Sequence, residues 1–368
     1  LEPVLLLPIY RQRSSATPEY LADIAHTKRL LERWEGDEVF SQLLQRSPGE
    51  AVERYGLRAD PEALRPVWDA HFQPSNGELS ESVHRHRAFV AEKMAHRDEL
   101  RRTSRPLSNN FHAWRVRQMA RTTSQLGAVQ AHAIVHPLAA FELSKGCSVG
   151  CWFCGVSAPK LGDIFAYDDA NRGLWREVCQ VWREEIGPAA EQAFLYWATD
   201  PMDNPDYEKF ACDFHELCGY FPQTTTALPL RDVERTRRLL KLSEERGCLL
   251  NRFSLLTLKI LDRVHETFSA EELAFVELVL QIKKDTLSKA VAGRALEKAL
   301  RTGVTDYQAS TIACISGFLV SMVERSVRLI SPCPASQRWP LGYQVFGEGT
   351  FKNAEEFRGV LRRLTSSE

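Results

Sequence analysis

The stretch FELSKGCSVGCWFCG, residues 141–155, sets a short apolar run against three cysteines, Cys147, Cys151 and Cys154, packed into eight residues. The run from Ala139 to Ser144 reads as a β-strand, so the cysteines fall in the loop leaving its carboxyl end. Their spacing is C-x3-C-x2-C. A structural zinc site takes four ligands and usually comes as paired C-x2-C knuckles. No second knuckle follows: Cys179, Cys212, Cys218, Cys248, Cys314 and Cys333 stand singly. A thioredoxin-like redox site needs only two cysteines. Three thiolates can instead hold three irons of a 4Fe–4S cube and leave the fourth iron open. On this reading the missing ligand is a vacancy for a substrate or cosubstrate. Gly146, Gly150 and Gly155 suit backbone that wraps closely around such a group.

Downstream of this loop, short apolar runs alternate with amphipathic helices. A helix is expected from about Arg172 to Ile186, with Leu174, Val178, Val181 and Trp182 inward. Strands are expected at residues 194–198, 223–228 and 251–258, and helices at 207–218 and 231–246. Ser269-Ala-Glu-Glu272 is a capping box that predicts a helix bearing Phe275, Leu278 and Ile282. The alternation predicts an α/β fold, a parallel sheet with helices outside it. Sites in such sheets and barrels lie at the carboxyl ends of the strands, where the three cysteines stand.

Upstream, residues 18–70 read as several short helices. Tyr20, Ile24, Leu31 and Trp34 share one helical face, and Asp37 caps a second helix. Two readings stand: a helical cap on the main domain, or a docking module for a helical partner. Residues 83–105 read as a basic, solvated helix, and 103–113 as a linker with Pro106 and Asn109-Asn110 as breakers. The chain divides into a helical region at 1–105, a β/α core at 106–310, and C-terminal strands with a helix at 311–368 that close the active site.

The 368 residues, 44% of them hydrophobic, suffice for a sizeable core, and a formal net charge of -1 offers no global field for nucleic acid or an anionic membrane. An odd count of nine cysteines argues against a disulfide framework. No signal peptide and no membrane span is expected, and the expected location is the cytoplasm.

The cysteine loop resembles that of the radical S-adenosylmethionine (SAM) superfamily, whose motif C-x3-C-x-Φ-C has an aromatic Φ, here Phe153. The resemblance implies a partial (β/α)6 TIM-like barrel, with one 4Fe–4S cluster and SAM as cofactors. It implies that the open iron chelates the amino and carboxylate groups of SAM, and that reduction cleaves SAM to methionine and a 5′-deoxyadenosyl radical. Phe153 would then pack near the adenine. Many members place a Gly-Gly-Glu-like segment after the second strand. This chain has Trp197-Ala-Thr-Asp-Pro-Met-Asp-Asn204 there instead. Thr199 and Asp200 are candidates for the SAM ammonium. The competing reading is a helix start, with Asp203 or Asn204 as N-cap and Pro205 at N1. Arg252 and Ser254 are candidates for the SAM carboxylate or ribose, since alternation puts both on one face of a strand.

A closer resemblance is to the proteusin-type radical SAM peptide epimerases. It is carried by AHTKRLLERWEGDEVFSQLL near the N-terminus, by FELSKGCSVGCWFCGVSAPKL and YWATDPMDNPDYEKF, and by RLISPCPASQRWPLGYQVFGEGTF near the C-terminus. It implies conversion of L- to D-residues in a ribosomally made precursor peptide, with its leader as a partner and flavodoxin or ferredoxin as electron donor. Relatives that cross-link or splice such peptides share these segments, and a non-catalytic cluster-bearing or peptide-binding module is the alternative of a different class. Epimerisation needs a second hydrogen donor across the substrate. Cys333, bracketed by Pro332 and Pro334 after the apolar stretch 327–330, is the candidate, expected in a loop at the sheet's carboxyl edge. Cys314 is the rival, and a buried structural role for Cys333 is the bland alternative.

Overall fold

The computed structural model describes residues 16–69, 71–72, 77–103, 105–248, 250–282, 290–303 and 310–366. The N-terminal helices are α1 (Pro18–Gly36), α2 (Glu38–Arg46), α3 (Pro48–Arg54), α4 (Arg65–Trp68), α5 (Glu81–Thr103) and α6 (Asn109–His132). There follow β1 (Ala139–Glu142), β2 (Ser144–Lys145), β3 (Asp163–Ile164), α7 (Asp169–Ile186), β4 (Ala193–Phe194), α8 (Tyr207–Cys218) and β5 (Thr225–Thr226). Next come α9 (Val233–Glu245), β6 (Asn251–Leu255), α10 (Leu258–Thr267), β7 (Val276–Leu280) and α11 (Gly293–Arg301). The chain closes with β8 (Gly317–Ser321), β9 (Ser326–Pro332), β10 (Tyr343–Thr350) and α12 (Ala354–Ser366). This is a mixed α/β chain of two compact units. The described residues within 1–97, 229–240 and 249–284 form one, and those within 98–228, 241–248 and 285–368 the other.

In the first unit, Thr17 caps α1 by accepting from the Tyr20 amide at 3.2 Å. Ile24 and Ala25 of α1 bury against Phe89, Ala270, Ala274 and Phe275. Arg29 donates to the Phe268 carbonyl at 2.7 Å, and His265 Nε2 lies 3.1 Å from Glu32. Trp34 and Trp68, which a docking surface would present as anchors, instead tilt against each other at 5.4 Å within a core of Leu30, Phe40, Leu44 and Leu64. β6 and β7 pair in parallel. Here the expected helix after Ser269 is corrected. The capping box does form, with Ser269 N to Glu272 Oε2 at 2.7 Å and Glu272 N to Ser269 Oγ at 3.1 Å. The turn nevertheless stops at Phe275, and Val276–Leu280 is a strand. Pairing with β6 and burial beside Phe253 and Leu255 override the local helix signal.

The second unit is built on a five-stranded sheet of order β10-β9-β8-β1-β4. β1 runs parallel to β4 and β8, whereas β9 is antiparallel to both β8 and β10. One face is aromatic. Phe141 meets Trp175, Trp182 and Phe214, and Phe318 stacks on Trp114 at 5.1 Å. The buried indoles of Trp175 and Trp182 donate to the carbonyls of Phe210 and Ala190, whereas the buried Trp114 Nε1 finds no partner among the described residues. The opposite face carries Ala140, Leu319, Ile330 and Tyr343, joined by Val156, Ala313 and Ile315. α6 begins inside the expected linker. Ser108 accepts from the Phe111 amide at 3.1 Å, so Asn109 and Asn110 form a capped first turn instead of a break.

Candidate functional site

The loop after β1 is closed by its own backbone. Cys147 N donates to Pro159 O at 2.9 Å, Leu161 N donates to Cys147 O at 3.2 Å, and Cys147 bridges Lys160. This closure demands glycine at position 146. Its φ is +83°, and a Cβ there would lie 2.5 Å from the Lys160 carbonyl oxygen. Inside the loop, Cys154 N donates to Cys151 O at 3.2 Å and Ser157 N to Cys154 O at 3.1 Å, placing Cys151 and Cys154 one turn apart.

Backbone amides point at two of the sulfurs. Val149 N lies 3.5 Å from Cys147 Sγ, and Ala158 N lies 3.3 Å from Cys154 Sγ. Burial, with Cys147 and Cys154 close by, pushes the Cys151 thiol up to about 11, and burial also raises Cys147. A bound cationic group is what would favour thiolates in this loop. Among the described residues no three His, Cys, Asp or Glu side chains are set to hold a single metal ion. The donor set of three thiols, amides turned toward sulfur and a close glycine cradle fits an iron–sulfur cluster, whose thiolates each take a different iron and accept N–H bonds.

The segment after β4 braces this loop. Asp203 Oδ2 accepts from Ser148 N at 2.8 Å, and Oδ1 from Ser148 Oγ at 2.6 Å. Asn204 Nδ2 donates to Leu143 O and Phe165 O, gripping the chain on either side of the loop. The expected cap at Asp203 or Asn204 is corrected. Asp200 caps a 3-10 turn, Pro201–Asp203, and α8 starts only at Tyr207. Asp200 also accepts from Thr226 Oγ1 and Ala227 N, both at 2.7 Å, so its carboxylate is largely committed. Burial raises its pKa. Thr199 differs: its Oγ1 is buried with no hydrogen-bond partner among the described residues. Glu142, buried at the end of β1, accepts from Ala198 N at 2.9 Å, and burial lifts its carboxyl above the usual range.

Cys154 and Cys314 both pack against the sheet face of Ala140, Leu319 and Ile330. Cys333 is placed otherwise than expected. β9 is antiparallel to β8, with Ile330 paired to Gly317, so Cys333 leaves past the amino ends of β8 and β1. It is buried, its amide donates to Gly342 O at 3.0 Å, and burial pushes its thiol up to about 11. Phe153 is half-buried and edge-on to Trp152 at 5.4 Å. Arg252 and Ser254 belong to the other unit. They alternate with the core residues Phe253 and Leu255, and Arg252 Nε donates to Glu277 at 2.6 Å.

No protein-family model matches the chain. It is 41% identical over 365 residues to the uncharacterized protein y4wI of Sinorhizobium fredii (strain NBRC 101917 / NGR234), covering 95% of this chain and 71% of that protein. The chain belongs to the y4wI family. Among solved structures it is similar to BtrN, crystallised in complex with AdoMet and 2-DOIA, at a TM-score of 0.34 and 12% identity, covering 52% of this chain and 71% of that one. That likeness is too slight to argue from.

Two residues of this y4wI-family chain escaped sequence reasoning. Asp203 was visible only as a helix cap, because its partner Ser148 is 55 residues away. Arg294 of α11 donates to the carbonyls of Cys151, at 3.1 Å, and Ala158, and nothing in its local sequence marks it.

Proposed function

We propose that the chain is a radical SAM enzyme that epimerises residues of a ribosomally made precursor peptide, its parallel strands forming part of a barrel. The observation that carries the cluster reading is the backbone-closed loop that holds Cys147, Cys151 and Cys154 just beyond β1. When bound, the cluster and SAM would supply a carbon radical able to take a Cα hydrogen from a peptide. Cys147, Cys151 and Cys154 are the ligands, and Asp203 holds their loop through Ser148. Thr199 offers its buried, unspent hydroxyl to the SAM ammonium. Asp200, with its oxygens largely committed, shapes that strand end. Phe153 takes the adenine. A cysteine thiol returns a hydrogen atom to the opposite face of the substrate; Cys333 is the one the family resemblance favours, and its thiol, raised to about 11, stays S–H at neutral pH, but it leaves past the amino ends of β8 and β1. The leader and a flavodoxin or ferredoxin are the partners.

A second reading of the donor has its own support: Cys314, not Cys333, packs on the sheet face that Cys154 occupies. Peptide turnover in deuterium oxide, read by mass spectrometry, tests the reaction. One deuteron gained per altered residue supports epimerisation. Loss of two hydrogens means cross-linking, and loss of a larger fragment means splicing.

A further inference from the structure

We infer that Arg294 is a positioning residue that locks the three-cysteine loop from outside; its part in catalysis rests on the cluster reading above. Arg294 Nη1 donates to Cys151 O at 3.1 Å, Nη2 to Ala158 O, and its backbone N to Cys154 O at 3.0 Å. One residue thus takes up three loop carbonyls, two of them from the cysteines themselves. In a trans peptide the N–H points opposite to the C=O. Drawing the Cys151 and Cys154 carbonyls toward α11 therefore turns the following amides, of Trp152 and Gly155, away from it.

The rest of α11 is built to reach the loop. Gly293 has φ +52°, and a Cβ there would lie 2.5 Å from Cys154 O and 2.6 Å from Gly155 O. Only glycine lets the helix start approach so closely. Gly293 N is tied to Pro340 O at 2.7 Å. One turn on, Glu297 accepts from Ser157 Oγ at 3.3 Å, and Lys298 Nζ lies 3.8 Å from the Trp152 ring centroid. Contacts from Arg294, Glu297 and Lys298 of one short helix land on residues 151–158 and hold the spacing of Cys151 and Cys154.

The test uses the full chain, metal-free and reconstituted, with Arg294→Met and Arg294→Lys. In metal-free protein, iodoacetamide labelling of Cys151 and Cys154 is followed by mass spectrometry, with Cys212 on α8 as reference. With two hydrogen bonds from a charged donor removed, Arg294→Met should speed labelling of the pair by about tenfold or more. Cys212 should be unchanged, and Arg294→Lys should fall between. In reconstituted protein, iron release to a chelator should accelerate likewise, and the electron paramagnetic resonance lines of the reduced protein should broaden. Wild-type labelling and iron release in both variants would overturn the inference. If Arg294→Met does not fold, wild-type labelling in Arg294→Lys alone overturns it. A wild-type protein that takes up no iron sinks the cluster reading, and the labelling arm still decides whether Arg294 holds the loop.

Discussion

Replacing Asp203 with Ala should loosen the cysteine loop without unfolding the sheet beneath it. Both carboxylate oxygens are spent on Ser148, at 2.8 Å to its amide and 2.6 Å to its hydroxyl. Asp203 is 8% exposed, so water replaces these bonds poorly. Hydrogen bonds to a charged group contribute about 1.5–3 kcal/mol each. The two share one acceptor and the freed hydroxyl can rotate to water, so the net loss is taken as about 2–3 kcal/mol. That corresponds to opening about 30- to 140-fold more often. Amide hydrogen exchange reads this locally, which matters because a chain of two compact units has no single unfolding free energy. Peptides covering residues 146–152 should exchange faster by that factor, while those covering β8 keep their protection. Ser148→Ala, which keeps the amide bond, should give a smaller effect, and the double variant should match Asp203→Ala. Unchanged exchange over 146–152 in Asp203→Ala would refute the brace.

Replacing Cys147, Cys151 and Cys154 together with Ala should abolish iron uptake and SAM cleavage, measured as bound iron and 5′-deoxyadenosine. Cys333→Ala should leave both intact yet yield little D-residue product; normal product from it, with none from Cys314→Ala, would transfer the donor role to Cys314. Thr199→Val should weaken SAM binding by about tenfold, the value of one hydrogen bond to a charged group, while thermal stability holds; equal affinity by calorimetry would remove Thr199 from the site. Because burial raises the Cys333 thiol to about 11 in the folded state, its stabilising contribution is present below the ordinary thiol range and is lost as pH rises toward 11. Wild type should therefore lose more stability than Cys333→Ala between pH 8 and 10.5, and parallel pH curves would contradict this. Truncation near residue 75 should give insoluble protein, because Ile24 and Ala25 cover Ala270, Ala274 and Phe275; a soluble truncated chain would restore the docking-module reading of residues 18–70.

What the sequence made legible was what local pattern controls. The C-x3-C-x2-C loop beyond a strand, α8 from Tyr207 to Cys218, and the inward face of α7 with Val178, Val181 and Trp182 are found where spacing placed them. α6 was missed because Asn109-Asn110 signals a break, and only Ser108 capping the Phe111 amide turns the pair into a first turn. β7 was missed because a short apolar run after a capping box suits helix and strand alike, and parallel pairing with β6 decides it. Cys333 was expected at the carboxyl edge, but strand direction is a property of the sheet, and β9 runs the other way. Asp203 and Arg294 act on residues far along the chain, so their roles exist only in three dimensions.

The central claim is that three thiols hold a cluster with one iron left open for SAM. The most direct measurement is anaerobic reconstitution with iron and sulfide, followed by metal analysis and electron paramagnetic resonance of the reduced protein with and without SAM. The account predicts about four irons and four sulfides per chain, and a spectrum that changes when SAM is added. One tightly held zinc per chain with no iron uptake, or a cluster spectrum indifferent to SAM, would contradict it.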